Sequence, residues 1–413
     1  MNVGFVSGRL AGTDGVSLET AKWAEVLRRM GHQVFYCAGE LEKDGPPGLL
    51  VPEMYFHTED ADWIVDHAYG TTEPHPDLFP KIDHYAALFR ECLQQFIAAF
   101  DIDVLIPENA LTIPIQIALG VALADVIADT GMPTIAHHHD FYWEREIYKT
   151  NCIPDILERC FPPALPSIEH VVINSLAQRD LKTRRGLDAV VVPNVFDFDT
   201  PAPAVDSYNA DLRTAIGLGE EDVLILQPTR IIRRKGIEMA VELVGRLDDA
   251  RYKLVFSHAT DVDTEYLSEL RALAEEWGAD LRVPIDQIDS VRGTHDGSKV
   301  YGLWDVYPHA DFVTYPSLYE GFGNALIEAI YFRLPVLVNR YSVYEADIRP
   351  LGFDFVELNG TVTDEAVEAV RSVLGNKQRR ESMVDRNYRL AARHFSYDTV
   401  KERLRPLLAV AAI

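Results

Sequence analysis

Tyr315-Pro-Ser-Leu-Tyr-Glu320-Gly-Phe-Gly-Asn324-Ala-Leu-Ile-Glu328-Ala329 is the stretch from which the rest of the chain can be read. The apolar run Phe312–Tyr315 predicts a strand that ends near Pro316. A glycine-bearing loop follows, and a helix is predicted over 324–332. Gly321 and Gly323 carry no Cβ, so backbone amides there can come close to a ligand. The helix N-terminus adds unpaired N–H groups and positive dipole, which suit a phosphate or sugar hydroxyls. Glu320 in the loop and Glu328 on the helix could each accept hydrogen bonds from a different ring.

The same strand–loop–helix unit recurs outward in both directions. Val223–Gln227 and Gly236–Leu247 read as strand and helix, and Gln227-Pro-Thr-Arg230-Ile-Ile-Arg-Arg-Lys235-Gly236 is the turn between them. Arg230 and Lys235 could converge on a diphosphate, Arg as a fork and Lys as a point charge. Arg233 and Arg234 read better as solvated. Further strand–helix alternation covers Lys253–Ser257, Thr264–Trp277 and Val336–Asn339, and the C-terminal third is helical, with clear stretches at Arg379–Arg393 and Tyr397–Val410.

The first half has the same rhythm. Strands are predicted at Val3–Ser7, Gln33–Cys37, Val104–Ile106, Thr134–Ala136 and Val171–Ile173, with helices over Ser17–Met30 and Leu111–Asp129. The first helix is expected to turn Leu18, Ala21, Leu27 and Met30 to one side. Short apolar runs of this kind suit parallel strands covered on both faces. Asp197–Asp206 reads as a linker. The expected fold is therefore α/β, two doubly wound Rossmann-like domains facing across a cleft. Residues 1–200 form the first and 207–394 the second.

Composition narrows the function. The 413 residues carry 39 Lys+Arg and 64 Asp+Glu, a formal charge of −25, which opposes binding to nucleic acid or anionic lipid. No apolar run reaches the roughly 18 residues of a membrane helix, and Met1–Val6 lacks a basic leader. Four cysteines without ligand spacing give neither a zinc site nor a disulfide scaffold. A cytoplasmic protein with no membrane span is expected.

Taken together, the glycine loop and the basic turn resemble the donor site of family-four retaining glycosyltransferases, which have the GT-B architecture. Glu320…Glu328 is similar to the family's E-x7-E motif, and Arg230…Lys235 to its diphosphate clamp. The resemblance extends over most of the chain. Gly12–Gly15 is similar to the N-terminal glycine loop, Val192-Pro-Asn194 to the hinge, and Arg393–Tyr397 to the entry of a closing helix, about 395–413, that packs back on the first domain.

The resemblance implies roles residue by residue. Arg230 and Lys235 neutralise the leaving diphosphate, and Glu328 holds the ribose. Glu320, with the backbone from Gly321 through Phe322, Gly323 and Asn324 to Ala325, orients the transferred hexosyl group, and Gly15 touches the donor phosphate. His139 lies near the sugar, with His137 as the alternative register. No metal is required, and the nucleoside-diphosphate sugar is a co-substrate rather than a resident cofactor. Asp14, Asn109, His138 and Trp143 are candidates for binding a small soluble acceptor of sugar or hydroxy-acid type, with Glu108 and Arg145 nearby. A homo-oligomer is compatible with all of this.

Rival readings are a GT-B sugar-nucleotide epimerase, a transferase acting on lipid or polysaccharide, and a catalytically inactive sugar-nucleotide binding module. An NAD(P) oxidoreductase fits less well, because Ser7–Gly12 does not read G-x-G-x-x-G. Asp101-Ile-Asp103, Asp197-Phe-Asp199 and Asp261-Val-Asp263 match a metal-binding Asp-x-Asp formally in an Asp-rich chain. Arg282–Gln287 is the loop where a nucleotide base could be read.

Overall fold

The computed structural model describes residues 1–257, 262–284 and 286–411, and the chain divides into two compact units. Unit 1 is Met1–Val195 together with the C-terminal stretch from Tyr397. Unit 2 is Phe196–Ser396. Asp261 of the third Asp-x-Asp and Ile285 of the Arg282–Gln287 loop lie outside the described residues.

Unit 1 is built on a seven-stranded parallel sheet. Its strands in chain order are β1 (Asn2–Ser7), β2 (Gln33–Ala38), β3 (Gly48–Leu50), β4 (Val104–Pro107), β5 (Thr134–His138), β6 (Ile168–Val172) and β7 (Ala189–Val191). Their spatial order is β3-β2-β1-β4-β5-β6-β7. β1 pairs with β2 on one side and β4 on the other, so the direction of winding reverses between β1 and β4. Val104, Leu105 and Ile106 are wholly buried, which is why these strands read as continuous apolar runs rather than alternating ones. The C-terminal helix, Tyr397–Ala411, lays Val400, Leu404, Leu407 and Leu408 into the core that holds Trp23 and Leu27.

Local chemistry explains where the sequence expectations shift. The first helix spans Gly15–Arg29 and starts before Ser17, because the Asp14 carboxylate caps it, accepting from Val16 N at 3.0 Å and Ser17 N at 3.1 Å. Its buried face is Trp23, Ala24, Val26 and Leu27 with Glu19 and Thr20, while Leu18 and Ala21 are exposed. Glu19 is buried to hold the chain at Val195, whose N–H it accepts at 3.1 Å. The helix expected from Leu111 begins at Ile117, because Pro114 has no N–H to donate and disfavours helical backbone at Ile113.

Unit 2 has a six-stranded parallel sheet of β8 (Val223–Gln227), β9 (Tyr252–Phe256), β10 (Asp280–Arg282), β14 (Phe312–Tyr315), β15 (Val336–Asn339) and β16 (Val356–Leu358). A small separate sheet contains β11 (Ile288–Asp289), β12 (Gly293–His295) and β13 (Ser298–Gly302). The main order is β10-β9-β8-β14-β15-β16, so winding reverses between β8 and β14. The segment read as a linker belongs to this unit: Phe198 is buried, and its carbonyl accepts from the Tyr388 hydroxyl at 3.1 Å. Among the described residues no helix is long and apolar enough to cross a membrane.

Candidate active site

Ligands of doubly wound sheets sit beyond the carboxyl ends of the strands where the winding reverses. In unit 2 that place lies beyond β8 and β14, where the basic turn and the glycine loop emerge. Gly236 ends the basic turn with φ +57°, and a Cβ there would lie 2.5 Å from the Pro316 carbonyl oxygen. Only glycine allows so close an approach of the two loops. Gly323, at φ +129°, serves the second loop. A Cβ there would meet the Tyr341 hydroxyl at 2.5 Å, and that hydroxyl donates to the Phe322 carbonyl at 2.7 Å.

The two loops bring opposite charges together. Lys235 is 8% exposed and Glu320 7%, and the two form an ion pair. Arg234 reaches the other carboxylate oxygen at 3.0 Å and the Tyr319 carbonyl at 3.1 Å. Burial pushes the Glu320 carboxyl up, but Lys235 and Arg234 hold it below the usual carboxylate range. Burial lowers the Lys235 ammonium, with the neighbouring Arg234 and Arg230 adding to that and Glu320 opposing it. Arg230 itself is exposed on the turn.

Arg234 therefore differs from the sequence expectation. It reaches Glu320 rather than being only a solvated cation. Arg233 does face outward, with a fork to Glu269 at 2.7 Å for each nitrogen. Glu328, in the second turn of the helix Asn324–Tyr331, accepts from the Tyr307 hydroxyl at 2.8 Å. Tyr307 is itself fixed by stacking on Phe332 at 4.6 Å. The two glutamates thus have separate neighbours, Glu320 cationic and Glu328 phenolic. Arg282, expected in a base-reading loop, ends β10 and pairs with Asp280.

In unit 1 the winding reverses between β1 and β4, and a cavity of about 150 Å³ opens beyond these strands. Asp14, Glu108 and Asn109 line it, as do Arg9 and Arg145. Gly15 is the first residue of the capped helix beside it. Asn109 organises the wall. Its side-chain oxygen accepts from His139 N and the Thr112 hydroxyl, each at 3.0 Å, and its amide donates to Asp140 at 2.8 Å. These bonds make it a brace for the loop after β5, not a free contact for an acceptor.

The three histidines separate by strand parity, since alternate residues share a side. His137 Nδ1 lies 2.9 Å and His139 Nε2 3.0 Å from one oxygen of the buried Glu108. Burial lowers both imidazoles, but Glu108 raises His139 above its ordinary value, while His137 stays below. His137 stacks on Trp23 at 4.0 Å, and His139 is the least buried of the three. These three ligand atoms lie within 4.8 Å of one another, close enough for a divalent cation, although the hydrogen bonds to Glu108 already satisfy them.

His138 points the other way and corrects an expectation. It is 1% exposed, bonded to His170 Nδ1 at 2.9 Å, and is therefore part of the interior rather than an acceptor contact. Trp143 is likewise drawn away. It stacks on Phe141 at 4.5 Å with its indole N–H on Asp180, and does not line the cavity.

Burial holds the His170 imidazole down at about 4, and burial with the nearby His170 holds His138 low as well. The folded state keeps both neutral, whereas the unfolded chain protonates them near 6.5. Their contribution is complete above that value and is lost as pH falls below it, for His170 down to about 4. Each histidine is expected to remove up to about 1.4 kcal/mol of stability per pH unit over that window. Chemical denaturation between pH 7 and 5 checks this, and H170Q should flatten the slope. An unchanged slope would mean the pair does not titrate on unfolding.

The glycosyl transferases group 1 family model matches residues 209–390, the part that holds the basic turn and the glycine loop. The mannosylglucosylglycerate synthase of Thermotoga maritima is 34% identical over 98% of this chain and 99% of its own length. That of Petrotoga mobilis is 35% identical over 87% of this chain and 86% of its own. The chain belongs to the family-four glycosyltransferases. Its fold is GT-B, and a glycosyltransferase from Rickettsia africae superposes with a TM-score of 0.70 at 15% identity, covering 99% of this chain and 97% of that one.

The pairing of Lys235 with Glu320 joins two stretches that the sequence singled out separately, the basic turn and the glycine loop. The Arg234 contact to Glu320 was not legible, because sequence does not say which cations of a turn face inward. Arg9 in the lining of the unit 1 cavity was not legible either, since a single arginine between Gly8 and Leu10 carries no pattern.

Proposed function

We propose that the enzyme transfers a mannosyl group from a nucleoside-diphosphate mannose to a sugar hydroxyl of glucosylglycerate, with retention of anomeric configuration. One observation carries the reading: identity of about a third over nearly the whole length with an enzyme named for the product mannosylglucosylglycerate. The cationic turn beyond β8, closing on the carboxylate loop beyond β14, supports the donor half.

In this reading Arg230 and Lys235 receive the diphosphate, Glu328 the ribose hydroxyls, and Glu320 the sugar. The bond between the anomeric carbon and the phosphate oxygen breaks as the acceptor oxygen attacks the same face. The acceptor proton passes to the departing phosphate. Positioning and charge stabilisation then supply most of the rate, and no metal is required. His139, held by Glu108, is the strand-end histidine nearest to this role, while Asp14 and Asn109 shape the acceptor side.

The test is incubation with GDP-, UDP- or ADP-mannose and glucosylglycerate, followed by NMR of the product. One nucleotide should yield a new α-mannosyl linkage. Epimerised nucleotide sugar without acceptor product, or a β linkage, would overturn the reading.

A further inference from the structure

The cavity of unit 1 has a specific imbalance in its hydrogen bonding. Its carboxylates and the Asn109 amide oxygen are already engaged. The Asp14 carboxylate caps the first helix, takes the Ser17 hydroxyl at 2.6 Å and meets Arg9 Nη2 at 3.0 Å. Glu108 is held by His137 and His139, and the Asn109 amide by Asp140, His139 and Thr112. The donors are not exhausted. Arg9 Nε is buried with no hydrogen-bond partner, and the guanidinium lies over the Phe56 ring at 5.2 Å. Arg145 places Nε on Asp140 at 2.8 Å, with Nη2 on the same oxygen. A guanidinium has five N–H groups, so each arginine keeps further donors.

We propose that Arg9 and Arg145 are a specificity-determining pair that reads a carboxylate on the acceptor, whose acid end enters this cavity. The proposal rests on the acceptor reading above and adds the residues and chemistry that select it. A planar fork matches a carboxylate in two parallel bonds, and stacking on Phe56 fixes the plane of one fork. Val16, Ile113, Ile115 and Leu119 form the apolar part of the lining, where a charge-assisted bond is screened less than in water. In a chain of net charge −25, an anionic acceptor is opposed by the whole-molecule field. It needs a local pair of cations to be held, and this cavity has one at the β1/β4 reversal.

The experiment compares glucosylglycerate with glucosylglycerol, which has the same sugar but no acid. Calorimetry measures binding of each, and initial rates measure transfer, for the wild type, R9Q, R145Q and R9K. The wild type should bind the acid about 10–100-fold more tightly than the neutral compound, the scale of a charge-assisted hydrogen bond. R9Q and R145Q should each reduce that ratio to a few, mainly through KM, and R9K should restore part of it. A purely structural role would weaken both ligands alike and leave the ratio intact, which would overturn the pair. Equal binding of acid and neutral compound by the wild type would do the same. Arginine-dependent binding of the acid without any transfer to it would uphold the pair and instead overturn the proposed function.

Discussion

Lys235→Ala is expected to lower transfer by about 10²–10³-fold, the usual loss when one preorganised charge-stabilising group is removed. Lys235 is buried beside Glu320, so the substitution has two consequences that must be separated. It removes the cation assigned to the diphosphate. It also takes from the buried Glu320 carboxylate one of its two cations; breaking a buried pair outright costs about 3–5 kcal/mol of stability, and the remaining contact to Arg234 keeps the loss below that. The variant Lys235→Met combined with Glu320→Gln separates them. Two neutral groups of similar volume restore much of the stability, whereas transfer stays low, because no cation has been returned and the Glu320 carboxylate is gone as well. Recovery of stability without recovery of transfer shows that the loss of rate in Lys235→Ala is not a folding defect. Initial rates together with denaturant titrations of both variants read the two effects. Transfer by Lys235→Ala within twofold of wild type would place the diphosphate elsewhere.

The structure also shows what a sequence can and cannot declare. Strands such as Val104–Pro107 were legible because both faces are covered and every residue is apolar. The glycine loop beyond β14 was legible because Gly323 answers a backbone requirement that no other residue meets at that contact, and Gly236 does the same for the basic turn beyond β8. The helix Leu78–Ala99, passed over in sequence, carries the helical period openly in Leu78, Ile82, Ala86, Phe89, Leu93 and Phe96.

The small sheet of β11, β12 and β13 had no comparable signal. Its strands are two to five residues long, and β12 is exposed throughout. Site residues failed in a different way. His138 and Trp143 lie at a strand end and loop as expected, yet one side chain points into the interior and the other stacks on Phe141. That choice is made by partners far away in sequence, His170 and Asp180, which local spacing does not reveal.

The assignment of the two glutamates is the centre of the account, and the structure sharpens what their variants should do. Glu328 has a phenol as neighbour and stands on the helix, so Glu328→Gln should weaken binding of the bare nucleoside diphosphate by about 10-fold or more, the scale of one charged hydrogen bond. Glu320 instead neutralises Lys235 and Arg234. Glu320→Gln leaves those cations to the diphosphate, so nucleotide affinity should hold or rise while transfer falls, because the contact proposed for Glu320 is to the moving sugar.

Calorimetric titration of the nucleoside diphosphate into wild type, Glu320→Gln and Glu328→Gln decides between them. The predicted result is weaker binding in Glu328→Gln alone, with binding in Glu320→Gln equal to or tighter than wild type. An equal loss of affinity in both variants, or a loss in Glu320→Gln alone, would contradict the account.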